Sequence, residues 1–110
     1  MVVAEVSIEP IGTSDPSYSD IVAETVKVLE HQKDVKYDVT AMSTVLQGER
    51  SKIMQLVQQM EEACFKAGAK RCVTTLRIDE RRDKPMHDIQ QMESEVEAKV
   101  SKLPQTRMRM

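Results

Sequence analysis

Two short segments of the chain gather polar groups able to bind a ligand but poorly suited to react with one. In "VVAEVSIEP" (residues 2–10) every second residue gives the set Val3, Glu5, Ser7 and Glu9; in "RCVTTLRID" (residues 71–79) the corresponding set is Val73, Thr75, Arg77 and Asp79. Carboxylates accept hydrogen bonds, hydroxyls donate and accept, and a guanidinium donates in a planar fork. Brought onto one surface, these groups can hydrogen-bond a small polar molecule. The same residues also suit a solvated sheet face, or one covered by a second subunit. Arg77 stands between Leu76 and Ile78 and is followed by six charged residues, Asp79 to Lys84, a run that also suits a solvated strand end.

Signals for catalysis do not accompany this set. The chain has no GxSxG, HExxH, P-loop or GxGxxG pattern. His31 and His87 fall outside the predicted strands with no nucleophile beside them, and the carboxylates form no recognisable acid–base pair. Cys64 and Cys72 are eight residues apart, without a CxxC or other ligands nearby. They read as reduced, structural thiols, which fits a reducing compartment and places the protein in the cytoplasm. The expectation is a protein that is not an enzyme, with no cofactor and no metal.

The elements that must position the polar set follow from periodicity. In the first segment Val2, Ala4, Val6 and Ile8 form the opposite, apolar face of a strand ended by Pro10 and Gly12. "SDPSYSDIVAETVKVLEHQK" switches to helical spacing, with Tyr18, Ile21, Val22, Thr25, Val28 and Leu29 on one stripe. Asp15 before Pro16, and Ser17 with Asp20, mark its start, and His31 falls in its last turn. "VKYDVTAMSTVLQG" is β-favouring and long enough for two antiparallel strands, 36–41 and 43–47, reversing at Ala41–Met42–Ser43 and ending at Gly48. "ERSKIMQLVQQMEEACFKAGAK" is a helix with Ile53, Leu56, Val57, Met60, Cys64 and Ala67 on its apolar stripe and Gly68 as its left-handed cap. In the last strand Cys72, Thr74, Leu76 and Ile78 face away from Arg77. Beyond Pro85, "HDIQQMESEVEAKVSKL" places Ile89, Met92, Val96, Val100 and Leu103 on a narrow stripe, a third helix suited to lie against a neighbour.

The order β-α-β-β-α-β-α predicts an α+β fold: a ferredoxin-like βαββαβ sandwich with an antiparallel sheet in the order 4-1-3-2 and an additional C-terminal helix. Both internal helices then cover one face, and the other face carries Glu5, Ser7, Thr75 and Arg77. The domain is expected over residues 1–103, with 104–110 a flexible tail.

Composition limits the remaining readings. The chain has 110 residues, 31% charged and 40% hydrophobic, so one soluble domain is expected. Only 3% of the residues are aromatic, which leaves an aliphatic core with methionine. A chain this short buries roughly 60–70% of its unfolded surface, and oligomerisation is a natural way to bury more. A net charge of −2 gives no general attraction to nucleic acid or anionic lipid. No apolar run is long enough to span a bilayer, and Glu5 and Glu9 argue against a signal peptide. An RNA-recognition motif of this fold needs aromatics on its central strands, and a metal chaperone needs a CxxC after its first strand; here those positions hold Val, Glu, Ser and Thr, and "IEPIGTSDP".

"VVAEVSIEPIGT", "MSTVLQGE" (residues 42–49) and "FKAGAKRCVTTLRIDERRDK" (residues 65–84), in this order and spacing, resemble the thiamine-binding-protein family, the YkoF-like group. The resemblance covers roughly residues 2–100. Ser43 stands where the family pattern suggests glycine, and "EEACF" where it often has a histidine. The resemblance implies a ferredoxin-like fold, dimers that join their sheets, and tetramers built as dimers of dimers. It also implies binding of thiamine or its hydroxymethylpyrimidine moiety without chemistry. Carried onto this chain, it makes Glu5, Ser7, Met42, Thr44, Thr75 and Arg77 the ligand-binding candidates. Glu5 would accept from the pyrimidine amine, the hydroxyls of Ser7, Thr44 and Thr75 would complete the polar contacts, Met42 would pack on a ring and Arg77 would orient a carboxylate. A structural or regulatory homo-oligomer without a ligand is the competing reading.

Overall fold

The N-terminal alternation becomes a strand because one of its faces is wholly apolar. In the computed structural model, which describes residues 1–12, 18–85 and 88–101, β1 (Val2–Ile11) buries Val2, Ala4, Val6 and Ile8 while Glu5 and Ser7 remain partly open. The chain continues through α1 (Tyr18–Glu30), β2 (Lys36–Val39), β3 (Thr44–Gly48), α2 (Arg50–Lys66), β4 (Arg71–Asp79) and α3 (Ile89–Ser101). The four strands form one antiparallel sheet in the order β2-β3-β1-β4, the predicted order read from the other edge. The architecture is the α+β, ferredoxin-like sandwich with an additional helix.

The core lies between the sheet and the α1–α2 layer. Ile21 and Leu29 from α1, Ile53 and Cys64 from α2, and Leu46 from β3 are completely buried there against Val2 and Val6. Each large aliphatic side chain removed from water in this way contributes about 1.5–3 kcal/mol. Ile21, Thr25 and Leu29 confirm the predicted stripe of α1. The proposed start signals at Asp15, Pro16 and Ser17, like the side chain of Tyr18, His87, Leu103 and the 104–110 tail, lie outside the described residues.

Several boundaries differ from the sequence reading for local reasons. β1 does not end at Pro10 but runs to Ile11, with Pro10 opposite Cys72. Proline is tolerated there because β3 stops at Thr44, opposite Val6, leaving this part of β1 bordered by β4 alone among the described strands. The β2–β3 reversal is wider than expected. Thr40 closes it, its N–H and hydroxyl donating to the Ser43 carbonyl at 2.8 and 2.7 Å. His31 falls just beyond α1, whose exit is held by Gln32: its amide donates to the carbonyls of Leu29 and Val35 and accepts from the Val35 N–H. Gly48 closes β3 as expected, and a Cβ there would lie 3.1 Å from Val35 Cγ2, so its lack of a side chain permits close packing.

The end of α2 follows its predicted cap. Gly68, at φ +118°, donates to the Phe65 carbonyl and Ala69 donates to the Cys64 carbonyl, the paired bonds of a Schellman turn. α3 begins with a reciprocal capping box: the Gln91 N–H donates to Asp88 Oδ1 at 2.9 Å, and the Asp88 N–H to Gln91 Oε1 at 3.3 Å. Its first turn is anchored by buried Ile89, whose N–H donates to Gln47 Oε1 at 3.0 Å, and by an ion pair between Asp88 and Lys36 at 2.9 Å. Gln47 shares its face with Val3, so the start of α3 covers one end of the sheet face expected to be free of helices. Farther along, Val96 is 61% exposed.

Two outcomes follow. Gly68→Ala should lower stability by about 1 kcal/mol, seen as a lower urea midpoint with an unchanged slope, because the cost is the left-handed backbone and not a clash. The bond with Lys36, followed by the backbone bond from Gln91, holds the Asp88 carboxyl below the usual Asp range. Its contribution to docking α3 is therefore complete above the unfolded carboxyl's pKa and is lost as the pH falls through the depressed folded value. Protection factors of the α3 amides should fall over that acidic window, and in Asp88→Ala they should be low already at neutral pH.

Candidate functional site

The β1–β4 register puts Glu5 directly opposite Arg77, Ser7 opposite Thr75, and Val3 opposite Asp79. These side chains share the face away from α1 and α2. Arg77 Nε forms an ion pair with Glu5 Oε1 at 3.0 Å, while the hydroxyl of Ser43 donates to Glu5 Oε2 at 3.1 Å. The carboxylate is thus held from both sides, by β4 and by the turn that enters β3. Arg77 is 82% exposed and Glu5 40%, so the ion pair itself adds only about 0.2–1 kcal/mol. Its main effect is to aim the carboxylate. A ligand donor can share Glu5 or displace the exposed Arg77 guanidinium at little cost.

The pair borders a depression of about 410 Å³ lined by Val3, Glu5, Val45, Arg77 and Asp79. A smaller cleft of about 120 Å³ opens where β3 parts from β1, beneath the turn, with Ser7, Thr25, Met42, Thr44 and Met60 on its walls. Size alone does not select either one: a depression of about 440 Å³ lies between α1 and α2 near Asp20, Glu24 and Lys66, and another of about 480 Å³ lies between Arg81, Asp83 and Glu95. The open face is distinguished by a fixed carboxylate flanked by hydroxyl and guanidinium donors.

The six candidate residues fall into two groups. Glu5, Ser7, Thr75 and Arg77 come together on the open face. Thr44 does not join them. It pairs with Val6 and Val39, points toward the helix layer and is 6% exposed, so its hydroxyl reaches the small cleft instead. Met42 stands at the turn, 86% exposed. The sequence marks Ser43 only as part of the reversal, yet it is the residue that fixes the second oxygen of Glu5. No one-dimensional pattern marks it, because the contact spans 38 positions of chain.

The charge run after Arg77 is largely matched within the chain. Arg81 pairs with Asp83 at 2.7 Å, and Glu80 accepts from both Arg82 at 2.7 Å and Arg50 at 3.1 Å. The bond from Arg82, with Arg50, holds the Glu80 carboxyl below its ordinary range, and Arg81 does the same for Asp83. Among the described residues no group of three or more His, Cys, Asp or Glu side chains could hold a metal ion, and no helix is long and apolar enough to cross a membrane.

Comparison with known proteins places this geometry in a family. The sequence profile described as "Thiamine-binding protein" matches residues 4–102. The UPF0045 protein YqgV of Bacillus subtilis is 45% identical over 87 residues, covering 76% of this chain and 84% of its own. A UPF0045 protein of Methanothermobacter thermautotrophicus is 39% identical over 84 residues, again covering 76% of this chain and 84% of its own. The crystal structure of MJ1052 from Methanocaldococcus jannaschii superposes with a TM-score of 0.74 at 32% identity, covering 87% of this chain and 95% of that one. With its profile spanning all seven elements from the second strand residue pair onward, the chain belongs to the thiamine-binding protein family.

Proposed function

We propose that the protein binds thiamine, or its hydroxymethylpyrimidine moiety, reversibly and without transforming it. Membership of the family over residues 4–102 carries this reading, and the fixed carboxylate of Glu5 gives it a chemical basis. An aminopyrimidine offers an amine donor beside a ring nitrogen acceptor. Glu5 accepts from the amine, while a hydroxyl or the released Arg77 guanidinium donates to the ring nitrogen. The ligand lies at the end of the β1–β3 ladder, where the open face and the small cleft adjoin across β1. Ser7 and Thr75 supply hydroxyls from one side and Thr44 from the other. Met42, exposed at the turn, folds over the ring and shields the polar contacts from water.

The working form in this reading is a cytoplasmic homo-oligomer, a dimer of dimers, without nucleic-acid or membrane partners. Val96 on α3 and Val73 on β4 expose apolar surface that a second copy would cover. The same exposed surface supports the second reading, in which assembly itself is the function and the polar face serves the interface through Arg77.

Calorimetry separates the two. Titration with thiamine, its phosphates and the free pyrimidine should give saturable binding. Glu5→Gln and Arg77→Ala should each weaken that binding by about tenfold or more, roughly 1.4 kcal/mol, while light scattering reports an unchanged particle mass. Silence with every ligand would reject the binding reading, and an Arg77→Ala protein that falls apart into smaller particles would favour assembly.

A further inference from the structure

Cys64 and Cys72 lie apart from the ligand candidates, yet the fold brings them into contact. Cys64 is on the buried stripe of α2, completely inaccessible, and Cys72 is half-buried near the start of β4. The Schellman turn at Gly68 folds β4 tightly back along α2. It leaves the two sulfurs 2.8 Å apart, with the Cys72 thiol donating to Cys64 Sγ. A second contact between the same elements fixes the spacing: the Thr74 hydroxyl, on the same side of β4 as Cys72, donates to Glu61 at 2.6 Å, and Glu61 lies almost one helical turn before Cys64. A disulfide needs the sulfurs at about 2.05 Å, so closure from this arrangement takes less than ~1 Å of relative movement.

We propose that Cys64 and Cys72 form a site of reversible oxidative modification, closing an intramolecular disulfide between α2 and β4 on encounter with a small disulfide oxidant such as glutathione disulfide. The half-buried Cys72 reacts first. Its thiolate attacks one sulfur of the oxidant, the S–S bond of the oxidant breaks, and one glutathione thiolate leaves and takes up a proton. Cys64 then gives up its own proton, attacks the Cys72 sulfur of the mixed disulfide and displaces the second glutathione. Two protein thiols are thereby oxidised by two electrons, and the oxidant is reduced to two glutathione molecules that carry both protons. Burial, and then the bond with Cys72, push the Cys64 thiol up to about 12, so it is protonated at neutral pH and its attack on the mixed disulfide is the slower of the two steps. In a reducing compartment such a bond is transient, as expected of a sensing pair and not of a permanent staple.

Intact-mass spectrometry of the folded protein after exposure to glutathione disulfide tests this. The expected product is a single chain lighter by two hydrogens, with both thiols lost together, no glutathione retained, and full reversal by dithiothreitol. Cys64→Ala removes the displacing thiol and should trap one glutathione on Cys72. Cys72→Ser should trap none, because Cys64 is inaccessible; circular dichroism verifies that each variant is folded. Two free thiols in the folded wild type after prolonged exposure, a glutathione adduct that persists on it, or a disulfide that forms only between chains or only in denaturant would each overturn the proposal. If either variant fails to fold, the wild-type mass and thiol count still decide the outcome.

Discussion

The antiparallel register between β1 and β4 is the constraint on which the remaining features rest. It is pinned by the apolar row Val2, Ala4, Val6 and Ile8, which the α1–α2 layer covers. A slip of one residue would turn that row to water and drive Glu5, Ser7 and Glu9 beneath the helices. Burying an unpaired carboxylate there would cost several kcal/mol. Packing on one face therefore dictates which chemistry appears on the other: with the apolar row turned inward, Glu5 and Ser7 face outward, and in the observed register they meet Arg77 and Thr75.

Unequal strand lengths then create the site. β1 pairs with β4 along nearly its whole length but with β3 only from Val2 to Val6. Where the β1–β3 ladder stops, the turn carrying Met42 and Ser43 crosses beside Glu5, and the cleft bordered by Ser7 and Thr44 opens. The edge that results, unpaired among the described strands, is a hazard for unwanted strand pairing, and Pro10 reduces it by removing a donor. Polar residues here are held by weak, exposed contacts that contribute little to stability. That arrangement suits groups that must exchange partners with a ligand.

α3 adds a different kind of economy. Its first turn is anchored through the Asp88–Gln91 box, buried Ile89 and the Gln47 and Lys36 contacts. The later turns carry apolar Val96 into solvent. A small domain with few aromatics gains from covering such a stripe, and a helix fixed at one end can present it without disturbing the sheet. The α2–β4 connection behaves in the opposite way: a Schellman turn, the Thr74–Glu61 bond and two touching thiols tie the two elements closely.

Periodicity, a local property, was enough to read all seven elements in order, the strand polarity of β1 and β4, and the left-handed cap at Gly68. It also placed Glu5, Ser7, Thr75 and Arg77 on one face, because each sits opposite an apolar neighbour row. The capping box of α3 is equally legible as Asp88-x-x-Gln91 before an apolar stripe. Thr44 shows where local reading stops: in "TVLQG" polarity suggests Thr outward and Val inward, but pairing with Val6 and Val39 turns Thr44 in and Val45 out. Ser43 on Glu5, Gln47 on Ile89, and Cys64 on Cys72 were likewise decided by tertiary structure. Each depends on how two elements are aligned in space, and sequence spacing within either one carries no record of that alignment.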